Sequence, residues 1–226
     1  MRDSICNFLK ELPPVHKEGW VFVLIFLLAA LLLWQIWAFL GVLGFTATLW
    51  CAWFFRDPAR VVSTRKDSIV SAADGKVTAI TRIVPPEEMG LGSESRIKIS
   101  VFLTIFDVHI NRAPCDGKVV GKYYVPGKFL NAELDKSSVQ NERLTWILQR
   151  PDGAKVVMVQ IAGMLAKRIV SWKKDGDTLA KGERIGLIRF GSRVDVYLPQ
   201  EADVRVMLGQ KVFAGETVLA DLPLKN

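Results

Sequence analysis

Gly176-Asp177-Thr178-Leu179-Ala180-Lys181-Gly182-Glu183-Arg184-Ile185 returns 33 residues later as Gly209-Gln210-Lys211-Val212-Phe213-Ala214-Gly215-Glu216-Thr217-Val218. Each copy places glycine where a tight turn needs positive φ and an apolar residue where the next strand enters a core. A second echo accompanies it, since Asp74-Gly75-Lys76-Val77 recurs as Asp116-Gly117-Lys118-Val119, each a turn feeding a strand. Paired echoes of this kind predict a repeated β architecture.

Working outward, everything after Asp57 consists of short alternating or β-branched runs punctuated by Gly, Pro and Asp. Strands are predicted at Ile69 to Ala72, Lys76 to Val84, Arg96 to Thr104, Lys118 to Val125, Arg143 to Gln149, Lys155 to Ile161, Arg184 to Arg189, Val194 to Leu198 and Val204 to Leu208. Pro85 to Glu94 and Asn131 to Glu142 read as longer loops, a length that is often functional in a compact β domain. The Gly-x-x-apolar-x-x-Gly-Glu-x-apolar pieces resemble turns of barrel-sandwich domains of the lipoyl and biotinyl type. Those carriers display a modifiable lysine at a hairpin tip, and no such tip stands out here.

Upstream the chain changes character. Between Glu18 and Arg56 there is no charged side chain, and residues 19–55 hold five of the seven tryptophans. As one helix those 37 residues would run about 55 Å, well past the roughly 30 Å core of a bilayer. A tight helical hairpin fits better, turning near Trp34-Gln35-Ile36-Trp37 or between Gly41 and Gly44, each half short for a full crossing. A signal peptide has a shorter apolar core and a cleavage site, and a buried core helix is shorter and lacks aromatic ends. Trp20, Trp50 and Trp53 then serve as interfacial anchors. Arg2, Lys10 and Lys17 before the run, with Arg56, Arg60, Arg65 and Lys66 after it, place both flanks on the cytoplasmic side of a cell membrane. The expected organisation is a leader and membrane-associating helical segment over residues 1–56, followed by a mainly β, barrel-sandwich-like domain over 57–226.

The 226-residue chain carries 30 Lys and Arg against 23 Asp and Glu, a formal net charge of +7. Scattered positive charge beside an anchor suits anionic headgroups, worth about 1 kcal/mol per well-placed cation. A nucleic-acid partner is not expected, because no recognition helix or RNA-binding signature accompanies the charge. Cys6, Cys51 and Cys115 have no metal spacing, so neither a metal site nor a disulfide framework is expected. Of two histidines, only His109 lies in the β segment.

His109 closes an apolar run, Val101-Phe102-Leu103-Thr104-Ile105-Phe106-Asp107-Val108-His109-Ile110-Asn111-Arg112. By itself a histidine at a strand end is more often structural than catalytic. Gly191-Ser192 reads as an ordinary turn or as a strained peptide whose hydroxyl attacks its own backbone. Asp74-Gly75 is a sufficient turn signal without any function, although Asp74 could orient an imidazole. Spacing alone does not bring Asp74, His109 and Ser192 together.

Six segments taken in order carry more weight: Phe54-Phe55-Arg56-Asp57-Pro58-Ala59-Arg60, Ser71-Ala72-Ala73-Asp74-Gly75-Lys76-Val77, Phe106-Asp107-Val108-His109-Ile110-Asn111-Arg112-Ala113-Pro114, Tyr124-Val125-Pro126-Gly127-Lys128, Asn141-Glu142-Arg143 and Arg189-Phe190-Gly191-Ser192-Arg193. Their combination closely resembles the short form of the phosphatidylserine decarboxylase family, over nearly the whole chain. The resemblance implies a lyase made as a zymogen that cuts itself between Gly191 and Ser192, giving a β chain of residues 1–191 and an α chain of 192–226 that stay together as a heterodimer. Ser192 would attack the Gly191 carbonyl, His109 would take the hydroxyl proton, and Asp74 would orient the ring. Ser192 would become a pyruvoyl group, the electron sink for decarboxylating a phospholipid headgroup to phosphatidylethanolamine and CO2 in phospholipid biosynthesis. Long forms of the family carry a second histidine where this chain has Phe106, which strengthens the case for His109 in both steps. A membrane-anchored barrel-sandwich carrier, a pyruvoyl enzyme of another amino-acid substrate, and association into homo-oligomers stay open at this point.

Overall fold

The structure is a computed structural model that describes residues 12–127, 141–163, 168–189 and 192–224. The leader to residue 11, most of the 131–142 loop and Gly191 therefore lie outside the described residues. The chain forms two compact units, Met1–Ala59 and Arg60–Asn226.

In the first unit, α1 (Lys17–Ile36) and α2 (Ala38–Phe54) form the expected hairpin, and the chain reverses at Trp37, whose φ of −160° and ψ of 125° are extended. The His16 imidazole caps α1 by accepting from Glu18 N at 3.3 Å, satisfying a donor the first turn leaves open. Gly44 lets the helices touch, because a Cβ there would lie 2.8 Å from Ala30 Cα. The base is closed by His16 N donating to Phe55 O and Asp57 N to Pro14 O, both at 2.8 Å. Thr46 and Thr48 return their hydroxyls to the backbone carbonyls of Val42 and Gly44, each at 2.9 Å, so neither presents an unmet donor to an apolar surround.

Outward the hairpin exposes apolar side chains on all sides, among them Leu28, Leu32, Ile36 and Leu49. With 20 residues, α1 spans about 30 Å and is long and apolar enough to cross a membrane. That corrects the expectation of a short half for α1, whereas α2, with 17 residues, is short as expected. The turn falls at residue 37, and the longer share of the apolar run goes to α1.

The second unit is mainly β. An eight-stranded antiparallel sheet runs in the order β13 (Lys211–Val212), β2 (Gly75–Ile83), β3 (Arg96–Leu103), β11 (Ser192–Leu198), β7 (Lys155–Ala162), β6 (Arg143–Gln149), β5 (Gly117–Val125) and β9 (Thr178–Leu179). Two three-stranded sheets accompany it, β4 (Ile110–Arg112), β10 (Arg184–Ile188), β8 (Ile169–Ser171) and β1 (Ser68–Val70), β14 (Val218–Asp221), β12 (Asp203–Val204), with β10 and β14 central.

Both sequence echoes become one internal repeat. Gly75 pairs Val212 and Lys76 pairs Lys211 in one half, as Gly117 pairs Leu179 and Lys118 pairs Thr178 in the other. Val77 N donates to Gln210 O as Val119 N does to Asp177 O, and Asp74 Oδ1 accepts Ala214 N as Asp116 Oδ1 accepts Lys181 N. Two four-stranded halves meet where β11 pairs β7.

Strand β11 is buried along its whole length. Val194, Val196 and Leu198 enter the main core with Trp146, Met158 and Val101, while Tyr197 packs with Val157, Val159, Met89 and Leu91 in a second cluster. Met89 and Leu91 come from the predicted Pro85 to Glu94 loop, which contains a short 3₁₀ turn. One predicted strand is corrected: Val204 to Leu208 is a strand only at Asp203–Val204, and Met207 and Leu208 stand 74% and 68% exposed. Val204 and Val206 turn toward the core while Arg205 and Met207 turn out, but the register with β14 ends at Val204 and Leu208 breaks the alternation.

Gly75 fixes where β2 starts. Its φ is +149°, and a Cβ would lie 2.1 Å from the Phe102 carbonyl oxygen. Gly75→Ala is expected to cost about 3 kcal/mol or more, since strain and overlap act together; chemical denaturation of the full chain in detergent measures it.

Candidate active site

Antiparallel register collects the candidate residues at one end of the large sheet. There β2 begins, β3 ends, β11 begins and β7 ends, with Ser192 paired to Leu103 on one side and Ala162 on the other. Asp74 immediately precedes β2, two ladder steps or about 10 Å of backbone from β11. The chain leaving β3 turns through Thr104 to Asp107, reaches His109 and enters β4. Arg112 N then donates to Ala72 O at 2.9 Å, and Ile188 N donates to His109 O at 3.3 Å. The segments bearing Asp74, His109 and Ser192 are thereby laced side by side through the backbone.

His109 is buried, and its Nδ1 lies 2.9 Å from the Asp107 carbonyl oxygen. A carbonyl only accepts, so Nδ1 carries the proton and Nε2 is left as the basic nitrogen. Asp107 is itself fixed, its Oδ2 accepting from Thr104 N at 2.9 Å and Thr104 Oγ1 at 2.7 Å. The ring's orientation thus begins in its own loop.

Asp74 is also buried. Its Oδ2 accepts from Arg60 Nη2 at 2.6 Å and its Oδ1 from Ala214 N at 2.8 Å. Burial pushes its carboxyl above the ordinary range, while the Arg60 guanidinium and the Ala214 N–H pull the other way. The backbone contact has its counterpart in the other half of the repeat, so burial and the Arg60 ion pair are what distinguish Asp74 from the exposed Asp116.

Ser192 is fully buried, and its Oγ has no hydrogen-bond partner among the described residues. Leaving a buried hydroxyl unsatisfied costs about 1–3 kcal/mol, which packing does not require at the head of a strand. On the same inner face lies a polar chain. Trp146 Nε1 donates to Gln160 Oε1 at 2.8 Å, and Gln160 Nε2 donates to Asn111 Oδ1 at 2.7 Å. The indole N–H can only donate, so each amide in the chain has one permitted orientation. Gln160 pairs Val194, two residues along the face from Ser192. Gln160→Leu is expected to lower stability by about 2–4 kcal/mol, since it strands the Trp146 and Asn111 groups in the core; the shift in thermal midpoint reads it.

Asn141 Nδ2 donates to Ala162 O at 2.8 Å, which brings the Asn141-Glu142-Arg143 segment to the strand end facing Ser192. Burial pushes the Cys115 thiol up to about 12, so it is no nucleophile. Residue-by-residue reading took Arg60 only as a flanking charge and did not single out Gln160 or Trp146. Arg60 ends a segment noted for its resemblance, whereas nothing local marks Gln160 and Trp146 as a pair.

The fold is that of a mainly β protein with an apolar helical hairpin, and Asp74, His109 and Ser192 are buried on neighbouring segments at one end of its large sheet, residue types suited to acid–base and nucleophilic work. The chain belongs to the phosphatidylserine decarboxylase family, whose model matches residues 47–220. It is 54% identical over 209 residues to the phosphatidylserine decarboxylase proenzyme of Paramagnetospirillum magneticum, covering 92% of this chain and 87% of that one. The proenzyme of Cereibacter sphaeroides is 51% identical over 220 residues, 97% of this chain and 94% of its own. That of Ruegeria pomeroyi is 51% identical over 222 residues, 98% and 99% of the two.

Proposed function

We propose that this chain decarboxylates phosphatidylserine to phosphatidylethanolamine and CO2, using a pyruvoyl group that it makes from Ser192 by cutting itself after Gly191. The observation that carries this reading is the buried Ser192 hydroxyl at the head of β11, without a hydrogen-bond partner among the described residues and laced to the segment that holds His109. A hydroxyl destined to be consumed has no need of a permanent partner.

In the self-cleavage, Ser192 Oγ bonds to the Gly191 carbonyl carbon as the peptide C–N bond breaks, and His109 Nε2 carries the proton from oxygen to the freed nitrogen. Loss of the Ser192 α-proton then expels the Gly191 carboxylate and leaves dehydroalanine. Its imine tautomer takes up water, releases ammonia and becomes the pyruvoyl cap of residues 192–226. No oxidant or reductant enters, because each step is an acyl shift, an elimination or a hydrolysis. Asp74, held by Arg60, acts as the electrostatic partner that favours a protonated imidazole during transfer.

The pyruvoyl ketone supplies the electron sink that removal of CO2 from an α-amino acid requires. Residue 192 is buried, with Leu103 and Ala162 as its register partners, a setting that suits a small uncharged group. His109 is the residue positioned to return a proton to the carbon that has lost CO2. The helical hairpin enters the cell membrane with its basic flanks on the cytoplasmic face, and a headgroup held by an ether-linked lipid would meet the same residues.

Intact-mass spectrometry tests the reading directly. Two chains divided between Gly191 and Ser192, the shorter one capped by pyruvoyl, are expected. A single unmodified chain that still turns over lipid would sink it.

A further inference from the structure

A serine headgroup hangs from its lipid by a phosphate, so its carboxylate lies only a few ångströms above the acyl chains. An enzyme that works on it in place must press the rim of its own site against the bilayer. The β unit has a surface fitted for that contact, at the end of the large sheet where Asp74, His109 and Ser192 collect.

Met207 and Leu208 project there at 74% and 68% exposure, with Phe106 at 63% and Phe213 at 40%. They are held out by backbone, not left loose. Gly209 N donates to Val77 O at 2.8 Å, Val77 N to Gln210 O at 2.9 Å, and Met207 N to Gln210 Oε1 at 3.0 Å. The Lys211 ammonium joins the members, 3.9 Å from Asp107 Oδ1 beside Phe106 and 5.8 Å from the Phe213 ring centroid. Next along the chain from Phe213 is Ala214, whose N–H holds Asp74.

Charge specifies the occupant. Lys76 and Lys211 are register partners on neighbouring strands, both exposed. Like charges directly opposite one another are destabilising, and an anionic surface laid across them converts that cost into attraction of about 1 kcal/mol per cation. The opposite end of the sheet is different in kind. Its turns Pro151-Asp152-Gly153 and Pro199-Gln200-Glu201 offer no large apolar side chain, and the segment after β2 exposes Val84 at 57% while burying Met89 and Leu91.

We propose that Met207, Leu208, Phe106 and Phe213, flanked by Lys76 and Lys211, form the face by which the β unit inserts into the headgroup layer of an anionic phospholipid bilayer. This rests on the reading of the protein as a decarboxylase of membrane lipid. Contact with another protein, or with a second copy of the chain, is the competing occupant.

The test uses the full chain with Cys6→Ser, the buried Cys51 and Cys115 retained, and either Leu208→Cys or Gln200→Cys carrying an environment-sensitive fluorophore. Each is reconstituted in phosphatidylcholine vesicles with about 30 mol% phosphatidylglycerol, with and without brominated acyl chains. The label at 208 is expected to shift to the blue and to be quenched about twofold or more by bromolipid, while the label at 200 is unaffected. Replacing phosphatidylglycerol with phosphatidylcholine should weaken the quenching. A blue shift at 208 without bromolipid quenching identifies a protein partner and overturns the proposal, as does equal quenching at both positions. No turnover is read and the anionic lipid is not a substrate, so a failed decarboxylase reading leaves this outcome untouched.

Discussion

Ser192→Ala is expected to yield one uncut chain of 226 residues with no lipid decarboxylation, a loss of about 10⁴-fold or more because nucleophile and cofactor source vanish together. The fold should survive. Ser192 Oγ has no partner to lose among the described residues, and Ala fills the same fully buried site without an unsatisfied hydroxyl, so the thermal midpoint should hold or rise slightly. That combination, intact fold with cleavage and activity both gone, separates a chemical role from a structural one. A Ser192→Ala protein found cut at the same peptide bond would end the proposal.

The second large effect is expected from His109→Ala. Removing the imidazole takes away the proposed base, and self-cleavage should slow by about 10²–10⁴-fold. The precursor should accumulate as a folded protein, destabilised by about 1–3 kcal/mol because the Asp107 carbonyl loses its donor in a buried site. Added imidazole should restore part of the cleavage by supplying the missing base, a recovery that a purely structural defect would not show. The time course of chain splitting, followed on gels from freshly made precursor, reads this without reference to lipid turnover. Unslowed splitting would remove histidine from the step.

The strands most legible in the sequence were those with strong alternation and turn residues at both ends. Arg143–Gln149 falls where it was expected, and β2, β3, β5, β7 and β10 differ only by a residue or two at their ends. Five short strands went unread: β4, β8, β9, β13 and β14 have two to four residues each. Pieces that short carry no period and exist because partners such as β10 offer a ladder. Met207 and Leu208 misled in the other direction, since apolar character alone cannot distinguish a core strand from a turn that holds side chains outward. At the site, Asp74, His109 and Ser192 were nameable from six ordered segments. The Trp146, Gln160 and Asn111 chain was not, because a hydrogen bond across 49 positions leaves no local trace.

One feature of the fold bears on how the molecule ages. The proposed cleavage position falls at the first residue of β11, the strand where the two halves of the repeat meet, hydrogen-bonded to β3 and β7 along both edges. Before the cut, folding is a first-order search by one chain. After a cut there, the C-terminal fragment would supply a central strand that the longer fragment cannot replace, and recovery from unfolding would become a second-order encounter that slows with dilution. The mature protein would hold its shape by its barrier to opening, with maturation acting as a one-way ratchet on its folding history.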